Sequence, residues 1–328
     1  MPLWLTRNDV EKLLDMPAAI EAVAEAYRLI YRCEAELPVR SNIPVAPHDG
    51  SLMTMPAYLG GELDALGAKL ISFYGTNPAR RGLPAIQGNV VLFDGRDGAL
   101  LALMDAGHLT AMRTGASGGV AARYLAREDA RTLTIFGSGV QAPFQIEAAL
   151  CERTVDRVLV ISRTPSNAES LAVELTERFG VAVQATADVE MAVAAADILV
   201  TATSAHEPLF DGAQLRPGVH ISGIGSHLPY ASEVDAVTLG RSKVVVDQMR
   251  AWLAEAGDLI RPIEEGSYDA GRIHGEIGAI VEGELPGREG DEEITFFKSV
   301  GLAAQDVAVA RVVYVKALEQ GAGIELDA

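Results

Sequence analysis

The chain lacks the features that mark several broad classes of protein. It has only two cysteines, Cys33 and Cys151, with no metal-ligand spacing between them. That argues against a disulfide framework and fits a reducing cytosol, each cysteine being expected as a buried small apolar residue. No run of Lys or Arg occurs, and the formal net charge is −18. Binding to a phosphate backbone needs clustered cations, so no nucleic-acid partner is expected. No uninterrupted apolar stretch approaches the roughly 20 residues of a bilayer span, and no membrane association is expected. The first residues, Met1 to Thr6, lack a basic region followed by an apolar core. No signal peptide is therefore expected, and the expected location is the cytoplasm. There is no HExxH, no CxxC and no carboxylate cage, so no metal is expected. A Ser-His-Asp hydrolase lacks support because no G-x-S-x-G elbow occurs. His108 and His206 belong to no constellation, and neither an internal repeat nor a low-complexity tract is present.

What the chain does have is room and a fingerprint. Its 328 residues allow two domains, and 49% hydrophobic content supports substantial cores. The apolar, β-branched run Leu133-Thr-Ile-Phe136 leads into Gly137-Ser-Gly-Val-Gln-Ala142, a G-x-G-x-x-A turn. An Ala-rich helical pattern follows through Ile146, Ala149 and Leu150. This is the strand–turn–helix setting of a dinucleotide-binding site. Gly137 permits the tight turn, Gly139 lets backbone approach a pyrophosphate, and Ala142 lets the helix lie close on its strand. The helix N-terminus then offers free N–H groups and partial positive charge to the phosphates.

The following strand, Arg157 to Ser162, points to the form of the dinucleotide. A site that prefers NAD carries Asp or Glu at the end of this strand, on the ribose 2′-hydroxyl. Here Ser162 and Arg163 stand there, followed by Thr164, Pro165, Ser166 and Asn167. A guanidinium forks onto a 2′-phosphate, and hydroxyls and an amide complete the cradle. NADP(H) is therefore the preferred cofactor, with NAD(H) the alternative.

The organisation along the chain changes twice. Thr6 with Asp9 makes a capping-box-like start, and Asp15 can cap a second helix whose apolar positions run from Ile20 to Ile30. From Pro38 to about Asp105 short strands are punctuated by Gly and Pro, with segments at 51–55, 65–73, 88–93 and 99–103 and a turn at Asp94 to Gly98. Residues 111–126 read as a helix. Strand and helix then alternate, with strands expected at 132–136, 158–162, 181–185, 197–201, 219–223 and 243–247. Val300 to Leu318 is an Ala/Val-rich helix, too apolar to stand in water. The fold class is α/β: a Rossmann-type doubly wound parallel sheet over residues 113–302, plus an α+β substrate-binding and dimerisation domain formed by 1–112 with 303–328.

A set of segments then carries a resemblance. These are Met55-Pro-Ala-Tyr58, Gly67-Ala-Lys69, Gly82-Leu-Pro-Ala-Ile-Gln-Gly88, Leu109-Thr-Ala-Met-Arg-Thr-Gly115, Gly137 to Ala142, Glu255-Ala-Gly-Asp-Leu259 and Phe297-Lys-Ser-Val-Gly301. In this order they resemble the ornithine cyclodeaminase/μ-crystallin family across nearly the whole chain. The resemblance implies a homodimer and an enzyme acting on a carbon that bears both a carboxylate and an amine or imine. It implies that Arg40, Lys69 and Arg113 bind the carboxylate. It also implies that Arg113, Thr114, Val140, Gln141, Thr201, Ala202, Thr203 and Ser299 join the fingerprint residues on the cofactor.

Lys69 is notable on its own account, because it interrupts an apolar strand between Ala68 and Leu70, where an unpaired ammonium is costly. In the resemblance, cyclodeaminases and some dehydrogenases carry Asp just after the glycine that ends the fifth strand. Here Ser226 stands there, with His227 next, either as a proton donor or as a loop cap. A serine hydroxyl of ordinary pKa cannot take protons from an attacking amine. The Gly-Ser-x-x-Pro form is similar to the ketimine-reductase and μ-crystallin branch, which prefers NADPH. The expectation is an NAD(P)H-dependent oxidoreductase that reduces a ketimine or imino acid to an amino acid, with Lys69, Ser226 or water supplying the proton. The rivals are a lyase converting ornithine to proline and ammonia, and a non-catalytic NADPH-dependent binder of a small carboxylate.

Overall fold

The computed structural model describes residues 1–327 and divides into two units, Met1–Arg113 with the segment from Leu302 onward, and Thr114–Gly301. In the first unit the strands are β1 (Leu3–Leu5), β2 (Ala35–Glu36), β3 (Ser41–Val45), β4 (Gly50–Leu59), β5 (Ala65–Tyr74), β6 (Ile86–Asp94), β7 (Leu100–Asp105) and a short C-terminal strand, Ile324–Glu325, antiparallel to β1. β4 to β7 form an antiparallel meander, and β1 joins β7 in parallel. Alternation sorts β5 into two faces: Ala65, Gly67, Lys69 and Ile71 are buried, whereas Leu66 and Leu70 are exposed. The helices Met16–Tyr31 and Ala303–Gln320 pack together, and the second also covers β4, β5 and β6. Gly67 makes that close approach possible. A Cβ there would lie 2.8 Å from the Val91 carbonyl oxygen and 3.1 Å from a Val307 methyl.

The caps follow the sequence. Thr6 and Asp9 form the capping box of the helix Arg7–Leu13, and Asp15 caps Met16–Tyr31 through Ala18 N. Two helix starts differ from the sequence reading. The helix expected from residue 111 begins at Ala106, where the Asp105 carboxylate accepts from Gly107 N at 3.0 Å. Gly107 and Thr110, weak helix formers, hid that first turn. The C-terminal helix begins at Ala303 rather than Val300, because Gly301 takes a positive φ of 79°.

The second unit holds β8 (Thr132–Phe136), β9 (Arg157–Ile161), β10 (Ala182–Ala185), β11 (Ile198–Thr201), β12 (His220–Gly223), β13 (Ser242–Val246), β14 (Ile273–Glu276) and β15 (Ile294–Lys298). All pairings are parallel, in the order β10-β9-β8-β11-β12-β15-β13-β14. The chain winds outward from β8 in both directions, so the switch point lies between β8 and β11. The six expected strands are present, and two further ones complete the sheet. β15 inserts between β12 and β13, its five residues too short a run to separate strand from buried helix by pattern. β14 is an edge strand whose Ile-His-Gly-Glu has no alternation to read.

Candidate active site

The glycine turn lies at the carboxyl end of β8, in the crevice where open parallel sheets take their ligands. Gly137 has φ 114°, and a Cβ there would come within 2.4 Å of the Ala202 carbonyl oxygen, so only glycine fits. Around Gly139 nothing lies within 4 Å of a built Cβ, which leaves the backbone open to a phosphate. Gln141 opens the helix Gln141–Glu152, Val140 before it is exposed, and Ala142 is buried against the sheet. Gln141 Oε1 and Thr201 Oγ1 are buried without a hydrogen-bond partner among the described residues, polar atoms that a bound group can satisfy. The residues present thus fit a dinucleotide.

At the end of β9, Ser162 Oγ accepts from Ser138 Oγ at 2.8 Å and from Thr164 N at 3.3 Å. This ties the glycine turn to the loop bearing Arg163, Thr164 and Asn167, all exposed at the start of the helix Pro165–Phe179. Ala202 N donates to the Phe136 carbonyl, placing Ala202 and Thr203 beside the glycine turn. The Thr114 carbonyl accepts from Gln145 Nε2, and Ser299 donates to Asp247.

In the first unit Lys69 and Arg113 meet on one carboxylate. Lys69 Nζ lies 2.8 Å from Asp306 Oδ2, and Arg113 Nε donates to Asp306 Oδ1 at 3.0 Å. Arg113 Nη1 donates to Gln305 Oε1, whose amide donates to the Tyr27 hydroxyl. All of these side chains are buried, Lys69 to 1% exposure. Burial pushes the Lys69 ammonium down to about 8; Asp306 pulls it up, and Arg113 and Arg40 push it down again. Among the described residues Lys69 and Arg113 share Asp306, so positive charge is in excess on that carboxylate in a desolvated place. Such a site favours a small carboxylate. Arg40, half-buried, acts on Lys69 at Coulombic range.

Arg113 is therefore engaged with Asp306 and Gln305. Ser226 is buried, its hydroxyl donating to the Ala231 carbonyl at 2.7 Å and its amide to Glu233 at 3.0 Å. That hydroxyl proton is held by the loop. The His227 ring lies on the exposed side, with Nδ1 3.3 Å from the Gly225 carbonyl oxygen. Asp306 and Gln305 were missed from sequence. Their only signal was a polar pair inside the Ala/Val-rich C-terminal helix, on a turn that must face β5.

A parallel sheet with a glycine turn at the carboxyl end of β8 defines a nucleotide-binding α/β fold. The chain belongs to the ornithine cyclodeaminase/mu-crystallin family, whose model matches residues 2–321. It is similar to a Delta(1)-pyrroline-2-carboxylate reductase of Bacillus cereus, 40% identical over 326 residues and 99% of each chain. It is also similar to the solved structure of the Thermococcus litoralis Delta(1)-pyrroline-2-carboxylate reductase in complex with NADH and L-proline. There the TM-score is 0.94 at 42% identity, covering 99% of this chain and 100% of that one. An archaeal alanine dehydrogenase dimer with bound NAD follows at TM-score 0.92 and 35% identity, with 99% of each chain covered. The protein is an NAD(P)-dependent oxidoreductase acting on carbon–nitrogen bonds.

Proposed function

We propose that the protein reduces a cyclic ketimine carboxylate, Δ1-pyrroline-2-carboxylate or a close analogue, to the amino acid, with NADPH as the preferred reductant. The observation that carries this reading is the meeting of Lys69 and Arg113 on Asp306. Arg113, Lys69 and Arg40 hold the substrate carboxylate and so fix the orientation of the adjacent C=N bond. The reduced nicotinamide, when bound, supplies the hydride. Lys69, with a pKa brought down to about 8, supplies the proton to the imine nitrogen, so that imine, hydride and proton give the amine. The Ser226 hydroxyl, already given to Ala231, leaves this role to Lys69. The same engagement argues against a lyase, which needs a base at that position. The test is NADPH oxidation on Δ1-pyrroline-2-carboxylate, with appearance of proline. Formation of proline from ornithine without added reductant, and no oxidation of NADPH on any imine, would overturn the reading.

The NADPH preference rests on the carboxylate-free loop Ser162 to Asn167. Arg163→Ala is expected to raise the NADPH dissociation constant about tenfold, the loss of one charge-assisted contact, and to leave NADH nearly unchanged. Fluorescence titration with both nucleotides measures this, and equal effects on the two would take the 2′-phosphate role from Arg163.

The working form we propose is a homodimer in the cytoplasm, where Cys33 and Cys151 remain thiols; both are exposed, not buried as the sequence suggested. The outward face of the antiparallel sheet supports the dimer. Leu66 lies between Tyr58 and Phe93, Ala68 between Pro56 and Val91, and Leu70 between Thr54 and Asn89. Leu52, Leu66 and Leu70 are each 38% exposed on this face, and contiguous apolar surface of this kind marks an interface. Leu70→Asp is expected to shift the protein to monomer in light scattering. A dimer retained with that substitution would place the interface elsewhere.

A further inference from the structure

Three ionisable side chains that the reaction above does not use are fully buried together in the nucleotide-binding unit: Glu233, Asp258 and Lys298. They come from the chain after β12, from the helix Gly257–Glu264 and from the last residue of β15. Glu233 Oε1 accepts from Thr203 N at 2.8 Å and from Thr203 Oγ1 at 2.7 Å. Its Oε2 accepts from Gly225 N at 2.9 Å and from Ser226 N at 3.0 Å. All four partners are donors, so the ionised carboxylate, an acceptor only, is the form they match. Asp258 Oδ1 accepts from Glu233 N, from Val234 N and from Ser232 Oγ. Asp258 Oδ2 lies 2.6 Å from Lys298 Nζ, and Lys298 Nζ also donates to the Ser226 carbonyl at 2.6 Å. Ser226 is thus gripped through its amide by Glu233 and through its carbonyl by Lys298.

Close approach makes the knot possible. A Cβ on Gly225 would lie 2.4 Å from the Thr203 carbonyl oxygen and 2.6 Å from Glu233 Oε1. A Cβ on Gly257 would lie 2.1 Å from the Ala231 carbonyl oxygen. Burial pushes the Glu233 carboxyl up, Lys298 pulls it down and Asp258 pushes it up again. Apolar side chains of similar volume would fill this space with a smaller desolvation penalty. What they cannot do is accept four donors from two loops at once. Those loops, Ala202–Thr203 after β11 and Gly225–Ser226 after β12, leave the carboxyl ends of strands on one side of the switch point, where a dinucleotide fold meets its ligand.

We propose that Glu233 is a positioning residue for the cofactor: through Thr203, Gly225 and Ser226 it fixes two loops of the binding surface, and the Asp258–Lys298 pair holds it in place. This rests on the dinucleotide reading of the glycine turn, not on the identity of the imine. The test is the Glu233→Gln variant, followed by thermal melting and by NADPH titration without substrate, with the surface variant Glu207→Gln as control. The NADPH dissociation constant is expected to rise at least tenfold in the first and to stay unchanged in the second. A lowered melting temperature with wild-type NADPH affinity would reduce Glu233 to a structural role and overturn the assignment. Should Glu233→Gln not fold, Glu233→Asp keeps the charge and withdraws it by one methylene. A rise of at least threefold then supports the assignment, and an unchanged affinity overturns it. Because no substrate enters the measurement, a wrong imine leaves the result intact. A wild-type chain that bound neither NADPH nor NADH would instead sink the cofactor reading and this assignment with it.

Discussion

Lys69→Met is expected to lower kcat/KM for the imine at least about 10³-fold while the protein stays folded. The factor combines the lost proton donor, by itself about 10² to 10⁴-fold, with a weakened hold on the substrate carboxylate. The fold survives because Asp306 keeps Arg113 at 3.0 Å, so no buried charge is left alone. A buried ammonium is replaced by an apolar chain of similar length, and the melting temperature should hold or rise. Steady-state NADPH oxidation and a thermal melt decide the matter. A variant with more than a tenth of wild-type activity would exclude Lys69 as the proton donor.

Asp306→Asn acts in the opposite way, keeping shape and removing the anion that both cations share. Two buried cations then face each other, with an expected stability loss of about 3 kcal/mol. The Lys69 pKa, already down at about 8, should fall further because the one group pulling it up is gone. In the wild type, activity that needs the ammonium falls as pH rises through about 8. In the variant that alkaline limb moves to lower pH, and part of the lost activity returns on acidification. The effect on stability has its own sign. The folded pKa of Lys69 lies below its ordinary value of 10.5, so between about 8 and that value the unfolded chain binds more protons. The contribution of Lys69 to stability therefore rises with pH across this window. A pH–rate profile of the variant that overlays the wild type would separate Lys69 from Asp306.

Some of this site was legible before any coordinates. The Gly137 to Ala142 turn is a local pattern, in which one short stretch supplies strand, turn and helix N-terminus together. Lys69 stood out because a charge breaks the alternation of an otherwise apolar strand, and burial at 1% exposure follows from that position. The caps at Thr6 and Asp15 were equally local. Asp306 was not legible, since it meets Arg113 across 193 residues of sequence and sits in a helix whose composition reads only as apolar. The same holds for the network of Glu233, Asp258 and Lys298. None of their spacings matches a motif, and each is an ordinary charged residue until the chain folds. β15 escaped for a related reason, a short apolar run whose place between β12 and β13 depends on the rest of the sheet.

The sequence by itself determined the glycine turn between a strand and a helix, the charge set inside an apolar strand at Lys69, and that the chain alternates strand and helix through its second part. These rest on local sterics and on residue type, which act over a few neighbours. Tertiary structure alone decided how the charges are balanced: which anion sits between Lys69 and Arg113, and which carboxylate collects the amides of two separate loops. Desolvation makes that balance matter, and desolvation exists only once distant segments have closed over the group.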